Sequence, residues 1–558
     1  MWSNGARVLG VAAPTTVAVT NAAAQYCSAC TASSSPSSSA PLTSCSRQQA
    51  MVFSSNLVPV ANEDHEPLLS SDDAAAPSPC TERQLDHSSS LLLPRYSKVK
   101  KPLWWSGYCH GRWHPSEGVA CSLAVAMGVA VAFFIYGVVT MQQQQDLVPK
   151  SDDGFGFSRP LEKLDKPLVI LISSDGFRWG YNWKVATPNI DRLRFNGVEA
   201  EPGMISVFPT KTFPNHYSIA TGLYPAYHGI ISNSFRDPDP TSQDRFKIGN
   251  LDPKWWLGEP IWETVVNHGL QAATYFWPGS QVVKGNWTCD PKYCMDYDGS
   301  IPYEVRVDSV LKFVDMPPGD RPSLITLYFE APDEPGHQTG PDDPKITEAV
   351  ARVDNMIGRL LTGLDKQNVT NDVTMILVGD HGMVTVCENK VIYLDDLGKW
   401  IYIPDAWVDS YTPVLAIRPP PEVDAVGVFQ KISQGLASGK VPNAEFLQVY
   451  LKEQLPLRLH YSDSPRIQPI IGLVAEGYSV VPSRKSKVSC GGNHGYDNAF
   501  ASMRTIFIGS GPQFPKDLRI PSFENIELYH LITSILGLTP APNNGTNSFA
   551  ESLLLPHH

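Results

Sequence analysis

The sequence predicts an α/β domain whose mostly parallel central sheet is covered by helices on both faces. Two observations point there. From about Lys166 onward, short apolar runs alternate with segments of helical periodicity, which is the pattern of strands buried on both faces. Several of those runs also lead directly into a turn bearing Asp or His, and in open α/β sheets ligands bind beyond the carboxyl ends of the strands.

The N-terminal part has a different texture. Residues 1–116 form a Ser-, Thr- and Ala-rich tail, with no acidic residue between Met1 and Asn62 and only Arg7 and Arg47 basic there. Such a segment cannot bury enough apolar surface to offset its chain entropy, so the tail is expected to be disordered. Within 1–50 the composition is also that of a plastid transit peptide, or of an extension upstream of a start at Met51. Residues 118–141 (GVACSLAVAMGVAVAFFIYGVVTM) carry no charge and, at about 1.5 Å per residue, reach across a hydrocarbon core of roughly 30 Å. They are expected to form one transmembrane helix. Arg95, Lys98, Lys100, Lys101 and Arg112 precede it, whereas Asp146, Asp152 and Asp153 accompany Lys150 after it, which places the N-terminus in the cytosol.

The expected topology is therefore a single-pass type II membrane protein of the secretory pathway, with residues 142–165 as a stalk and 166–558 as a lumenal or extracellular domain. Glycosylation triplets at Asn286, Asn368 and Asn544 fit that side. DHEPLL, ending at Leu68 and Leu69, resembles an acidic dileucine sorting signal, and Golgi, vacuole or endosome, cell surface and plastid all remain open as destinations. Cys289, Cys294, Cys387 and Cys490 lie beyond the span, and an even number in an oxidising compartment permits two disulfides. The close pair Cys289–Cys294 forms one, and elimination leaves Cys387–Cys490. No CxxC follows the span, which argues against a cysteine-bound metal. The net charge of −12 argues against a nucleic-acid polymer as partner, because such binding is driven by phosphate neutralisation. Nothing in the sequence indicates an oligomeric state.

Within the domain, LVILI (168–172) leads into Ser174-Asp175-Gly176, and Thr187-Pro188 then opens a helix through Leu193 with Thr187 as N-cap. Ala272 to Trp277 leads into Pro278-Gly279, and Leu324 to Phe329 into Asp333, with His337 four residues on. Val373 to Val378 leads into Asp380-His381, and GGNHG sets His494 among Gly491, Gly492 and Gly495. Taken singly, an Asp after a strand is ordinarily a cap or turn former. Three Asp and three His at such edges, with the Thr212 hydroxyl in FPTKTFPNH, are instead the hard and borderline donors of a two-metal phosphoryl-transfer site.

At FPTKTFPNHYSIATGLYPAYHGIISN, YFEAPDEPGH, VGDHGM and GNHGYDN the chain resembles the nucleotide pyrophosphatase/phosphodiesterase family of the alkaline phosphatase superfamily, from about Lys166 to the C-terminus. The resemblance implies an alkaline phosphatase-like fold and two Zn²⁺. Thr212 would be the nucleophile, on one zinc with Asp175, Asp380 and His381; Asp333, His337 and His494 would hold the other. By ligand type alone Mn²⁺ or Co²⁺ would also serve. The implied reaction is hydrolysis of phosphodiester and pyrophosphate bonds in nucleotides and nucleotide sugars through a covalent nucleotidyl-threonine, releasing a nucleoside 5′-monophosphate. Asn233 would contact the phosphoryl group, and Phe213 and Tyr297 would stack the nucleobase, though both rings read equally as core aromatics. The family often carries Asp-Asn-Lys around that Asn, whereas this chain has Ser232-Asn233-Ser234, which loses a positive charge that favours extended anionic substrates. Cleavage of phospholipid or lysophospholipid head groups, as in some short relatives, is the competing activity. A phosphomonoesterase would place Arg beside the nucleophile, where Lys211 and Phe213 stand, and no CxPSR-like sulfatase motif occurs. After His494 the chain runs only to His558, so the nuclease-like domain of longer members is expected to be absent.

Overall fold

The apolar runs become strands because β-branched and large apolar side chains pack well on both sides of a pleated sheet. The computed structural model describes residues 160–556, so the expected tail 1–116, the span 118–141 and most of the stalk 142–165 lie outside the described residues. No helix among the described residues is long and apolar enough to cross a membrane.

Eight strands make the main sheet: β1 (Leu168–Ser174), β2 (Gly197–Ala200), β3 (Ala272–Tyr275), β4 (Cys294–Met295), β5 (Leu324–Phe329), β6 (Val373–Val378), β7 (Phe507–Ser510) and β8 (Leu518–Ile520). Their spatial order is β8-β2-β7-β6-β1-β5-β3-β4. β1 pairs in parallel with both β5 and β6, β5 with β3, β3 with β4 and β2 with β8; only β7 runs antiparallel to its neighbours. The sheet is thus mostly parallel and α/β, as the apolar runs imply. β1 is buried along its whole length. Val169 and Leu171 point into one core and Leu168, Ile170 and Ile172 into the other, the period of two that a doubly covered sheet requires. Helices Tyr303–Val314 and Pro344–Lys366 cover the second face; Thr212–Thr221, Ile261–Asn267 and Glu527–Leu536 cover the first.

One local expectation changes. The helix at Pro188–Phe195 begins where Thr187-Pro188 predicts, but the Thr187 hydroxyl donates to the Asn182 carbonyl at 3.2 Å and does not cap the helix. The first free N–H groups are taken by a distant carboxylate: Asp354 Oδ1 accepts from Asn189 N at 3.0 Å and Ile190 N at 2.8 Å. A buried acid with three hydrogen bonds satisfies those donors better than a local hydroxyl.

Between the GDHG and GGNHG turns the chain builds a second, antiparallel sheet from Val408–Ser410, Val414–Ile417, Ile470–Val474 and Leu447–Leu451, closed by helix Ala425–Leu436 over its own core. The entrance and exit of this insertion pair with each other, Gly491 opposite Val386 and Asn493 opposite Val384. Cys387 and Cys490 are bridged at the far end of that stem, and Cys289 and Cys294 are bridged in the loop leading to β4. The Cys387–Cys490 bridge closes a sequence separation of 103 residues, for which chain-entropy arguments give about 4–5 kcal/mol. Replacing both cysteines by Ser is expected to lower the thermal midpoint by several degrees, read by differential scanning fluorimetry against the native protein.

Candidate active site

Five chain segments converge past the carboxyl ends of the central strands. Asp175 follows β1. Asp333 opens the short helix Asp333–Thr339 after β5, which sets His337 one turn further along the same face. Asp380 and His381 follow β6, and the stem strand Gly491–Asn493 delivers His494. Thr212 is the first residue of helix Thr212–Thr221, whose remaining turns are buried from Pro214 onward.

The structure brings the seven predicted donors together. His381 Nε2 lies 3.2 Å from Thr212 Oγ1, 3.3 Å from Asp175 Oδ1 and 3.1 Å from Asp380 Oδ2. Asp333 reaches His337 Nε2 at 3.4 Å and His494 Nε2 at 3.6 Å, and those two nitrogens are 3.1 Å apart. The His381 and His494 rings stack with centroids 3.4 Å apart. Three sets emerge in which the donor atoms lie within 4.8 Å of one another: Asp333, His337 and His494; Asp175, Asp333 and His381; and Asp175, His216 and Asp380.

Hydrogen bonding shows what the donor set is prepared to hold. His337 Nδ1 faces the Gly492 carbonyl at 3.0 Å, His381 Nδ1 the Gly382 carbonyl at 2.9 Å and His494 Nδ1 the Thr210 carbonyl at 2.9 Å. Carbonyls only accept, so each of these nitrogens carries a proton, and in the neutral ring each Nε2 is left with the lone pair that faces the carboxylates. On the acid side, Asp175 Oδ1, Asp333 Oδ1 and Asp380 Oδ2 are buried with no hydrogen-bond partner. Lone pairs and unpartnered oxygens directed at one space are costly unless cations or protons fill it.

The titration shifts carry the same strain. Burial, reinforced by the Asp380 charge, raises the Asp175 carboxyl, and burial with the Asp175 charge raises Asp333 well above the usual range. Although burial opposes it, Asp380 is held below the usual range by His381 and His216. Burial disfavours the His381 imidazolium too, yet Asp380, Asp175 and Asp333 push it up to about 10. The opposed shifts mark a crowd of like charges that a bound cation would relieve. Oxygen and imidazole donors without thiolate suit Zn²⁺ or a similar borderline cation.

Two contributors carry no assignment from the sequence. His216, in the same FPTKTFPNH turn and one helical turn after Thr212, is buried; its Nδ1 donates to the Thr212 carbonyl at 2.9 Å and lies 3.3 Å from Asp380 Oδ2, while Nε2 meets Ser173 Oγ at 2.8 Å. The i, i+4 spacing from Thr212 was the available signal. Tyr328 on β5 donates to Asp175 Oδ2 at 2.6 Å, and no sequence pattern marks it.

The expected substrate contacts are arranged around Thr212. Asn233 Oδ1 accepts from Phe213 N at 3.0 Å, which leaves the amide NH₂ as its free donor. Phe213 is half-buried against Phe246 and Trp256, with ring centroids 6.2 and 6.1 Å away. Tyr297 is 54% exposed, its ring edge-on to Phe276 and Tyr328 and its hydroxyl donating to Glu330 Oε1 at 2.9 Å. Phe213 therefore has an aromatic bed, whereas Tyr297 presents an open ring. Asn286, Asn368 and Asn544 are all exposed.

An α/β fold with clustered carboxylate and imidazole donors at its strand ends defines a metal-site class, and comparison with known proteins narrows it. The chain belongs to the type I phosphodiesterase / nucleotide pyrophosphatase family, whose sequence profile matches residues 169–497. It is 40% identical over 396 residues to venom phosphodiesterase CdcPDE of Crotalus durissus collilineatus, covering 69% of this chain and 46% of that protein. It is likewise 40% identical over 397 residues to human ectonucleotide pyrophosphatase/phosphodiesterase family member 1, covering 70% of this chain and 42% of that protein. The chain thus spans under half the length of these curated relatives. Among solved structures, an inactive variant of murine ectonucleotide pyrophosphatase / phosphodiesterase 5 in complex with AMP superposes with a TM-score of 0.62 at 33% identity, covering 70% of this chain and all of that one.

Gly176 lets two of the ligand turns touch. Its φ is +65°, and a Cβ there would lie 2.9 Å from Asp333 Cα. Gly176→Ala is expected to push Asp175 and Asp333 apart, costing about 1–3 kcal/mol of stability. Metal content measured by mass spectrometry of the dialysed protein should fall in parallel.

Proposed function

We propose that the domain is a phosphodiesterase and pyrophosphatase acting on nucleotides and nucleotide sugars, with two divalent cations, zinc by ligand chemistry, and a covalent nucleotidyl-threonine intermediate. The observation that carries this reading is the set of three unpartnered carboxylate oxygens and three Nε2 lone pairs directed at one space beside the Thr212 hydroxyl. The printed names of the relatives, venom phosphodiesterase and ectonucleotide pyrophosphatase/phosphodiesterase, and the AMP complex of the murine protein support it.

Cations bound there would supply the positive charge that makes a Thr hydroxyl nucleophilic near neutral pH and that balances charge on the phosphoryl oxygens. The chain's own residues do the rest. Thr212 Oγ1 gives up its proton and bonds to phosphorus as the bond to the leaving-group oxygen breaks, and that oxygen departs with the electron pair. Water then attacks the same phosphorus, Thr212 Oγ1 leaves and regains a proton, and a nucleoside 5′-monophosphate is released. Asn233, fixed through the Phe213 N–H, aims its NH₂ at a non-bridging oxygen where negative charge accumulates. Phe213 offers a face to the nucleobase and Tyr297 a second, exposed ring.

We also read residues 118–141 as a membrane anchor with a cytosolic tail, which puts the domain in the lumen or outside the cell; its two disulfides and three exposed glycosylation triplets support that side. Digestion with a glycosidase should shift the mobility of the secretory-expressed protein, and an unshifted band would contradict the topology.

The purified protein is expected to hydrolyse bis(p-nitrophenyl) phosphate far faster than p-nitrophenyl phosphate. Chelation should abolish this, and Thr212→Ala should lower kcat at least about a thousandfold. Equal rates on the monoester would defeat the diesterase assignment. In a panel of ATP, NAD, ADP-glucose, UDP-glucose and lysophosphatidylcholine, turnover of the lipid alone would replace the nucleotide reading with the head-group one.

A further inference from the structure

We propose that Arg245 is a specificity-determining residue that selects substrates with an anionic group beyond the scissile phosphorus, namely nucleoside polyphosphates and nucleotide sugars that leave as pyrophosphate or a phosphosugar. The inference rests on the reading above and names the part of the substrate which that reading leaves open.

Ser232-Asn233-Ser234 contains no cation of its own, yet the fold supplies one. Ser234–Arg236 and Arg245–Lys247 form an antiparallel hairpin with Ser234 opposite Lys247 and Arg236 opposite Arg245. Arg245 reaches back along it, and its Nη1 donates to Ser234 Oγ at 3.1 Å. The guanidinium therefore lies against the residue that follows Asn233, and Asn233 is tied to Phe213, the neighbour of Thr212. Nucleophile, phosphoryl-contacting amide and guanidinium stand in one unbroken run of contacts.

The protein engages this guanidinium only in part. The buried Asp409 carboxylate is shared by three partners: Arg236 Nε, Arg245 Nη2 at 3.4 Å and Gln468 Nε2 at 2.7 Å. One carboxylate facing two guanidiniums leaves a surplus positive charge. Arg236 is committed to Asp409 and to the Ala406 carbonyl. Among the described residues, Arg245 contacts Ser234 and, at longer range, Asp409, and its side chain keeps 32% exposure. A partly exposed guanidinium anchored at two points, with donors left over, is preorganised for a phosphate, because little rotamer freedom remains to be lost on binding. Lys211 Nζ lies 3.3 Å from Ser232 Oγ, so the serine on either side of Asn233 in the chain touches a cation.

The bland alternative is an arginine that only clips the hairpin, and the test separates the two. For the native protein and for Arg245→Gln and Arg245→Lys, kcat/KM would be measured on ATP and on the p-nitrophenyl ester of thymidine 5′-monophosphate, whose leaving group carries no phosphate. The ratio of the two values is expected to fall about 10- to 100-fold in Arg245→Gln, chiefly through KM for ATP, and to stay near the native ratio in Arg245→Lys. The double variant Arg245→Gln/Ser234→Lys, which returns a cation to the same flank from the neighbouring position, should recover the ratio. An equal loss on both substrates, or an unchanged ratio, would overturn the proposal. A native protein that cleaved neither substrate would instead overturn the nucleotide reading on which it rests.

Discussion

Three carboxylates and three imidazoles packed around one space, all buried except the half-buried Asp333 and the exposed His337, cannot all keep their ordinary charge states, and most of the architecture serves to hold them there regardless. In water such groups would separate and solvate; here all but Asp333 are fixed from behind by hydrogen bonds. Backbone carbonyls of Thr210, Gly382 and Gly492 take the outer nitrogens of the histidines, Tyr328 takes one oxygen of Asp175, and the Gly176 N–H takes one oxygen of Asp380. What remains turned inward is one unpartnered oxygen per carboxylate and one lone pair per imidazole. A site built this way is high in energy when empty of cations, and that energy is the source of metal affinity.

The ligands come from positions as far apart as Asp175 and His494, and two devices bring them into register. The parallel pairing of β1 with β5 and β6 ends three strands at one edge, which delivers Asp175, Asp333, Asp380 and His381 from a rigid platform. His494 has no such strand of the main sheet. Its position depends on the short stem in which Val384–Val386 pairs with Gly491–Asn493, closed at its far end by Cys387–Cys490. The insertion with the second sheet is entered and left through that stem, packs Val414, Ala416 and Ile471 into the core of the main sheet and the opposite face into a core of its own, and its two ends present His381 and His494 to each other.

Four strands of the main sheet, β1, β3, β5 and β6, and the Asp and His that follow β1, β5 and β6 were legible in the sequence because apolar runs and strand-end acids are local signals. So were both cysteine pairs. The small antiparallel sheet was not, since strands of three to five residues separated by 3₁₀ turns leave no clean period. The Asp354 cap on the helix at Pro188 escaped for a different reason: the donor groups and the acceptor are about 165 residues apart, and a local Thr-Pro pattern explains the helix start without it. Tyr328 and the Arg245–Ser234 contact are likewise products of tertiary pairing. The residues that perform bond chemistry announce themselves by motif, whereas those that orient them or tune the substrate are visible only once the chain is folded.

That division has a physical basis. Charge developing at phosphorus is the same for every diester or anhydride, so the groups that meet it must sit within fractions of an ångström of one arrangement and tolerate little change. The far end of a leaving group varies in length and charge, and a cation that meets it need only be present on the correct flank. A hairpin residue satisfies that looser demand. Because Arg245 touches the reactive centre only through Ser234 and Asn233, it can be exchanged for a neighbouring lysine without moving Thr212, Asp175 or the histidines. Bond type and substrate preference then rest on different elements of the fold, the first on strand ends buried in the sheet and the second on a two-stranded ribbon at its rim.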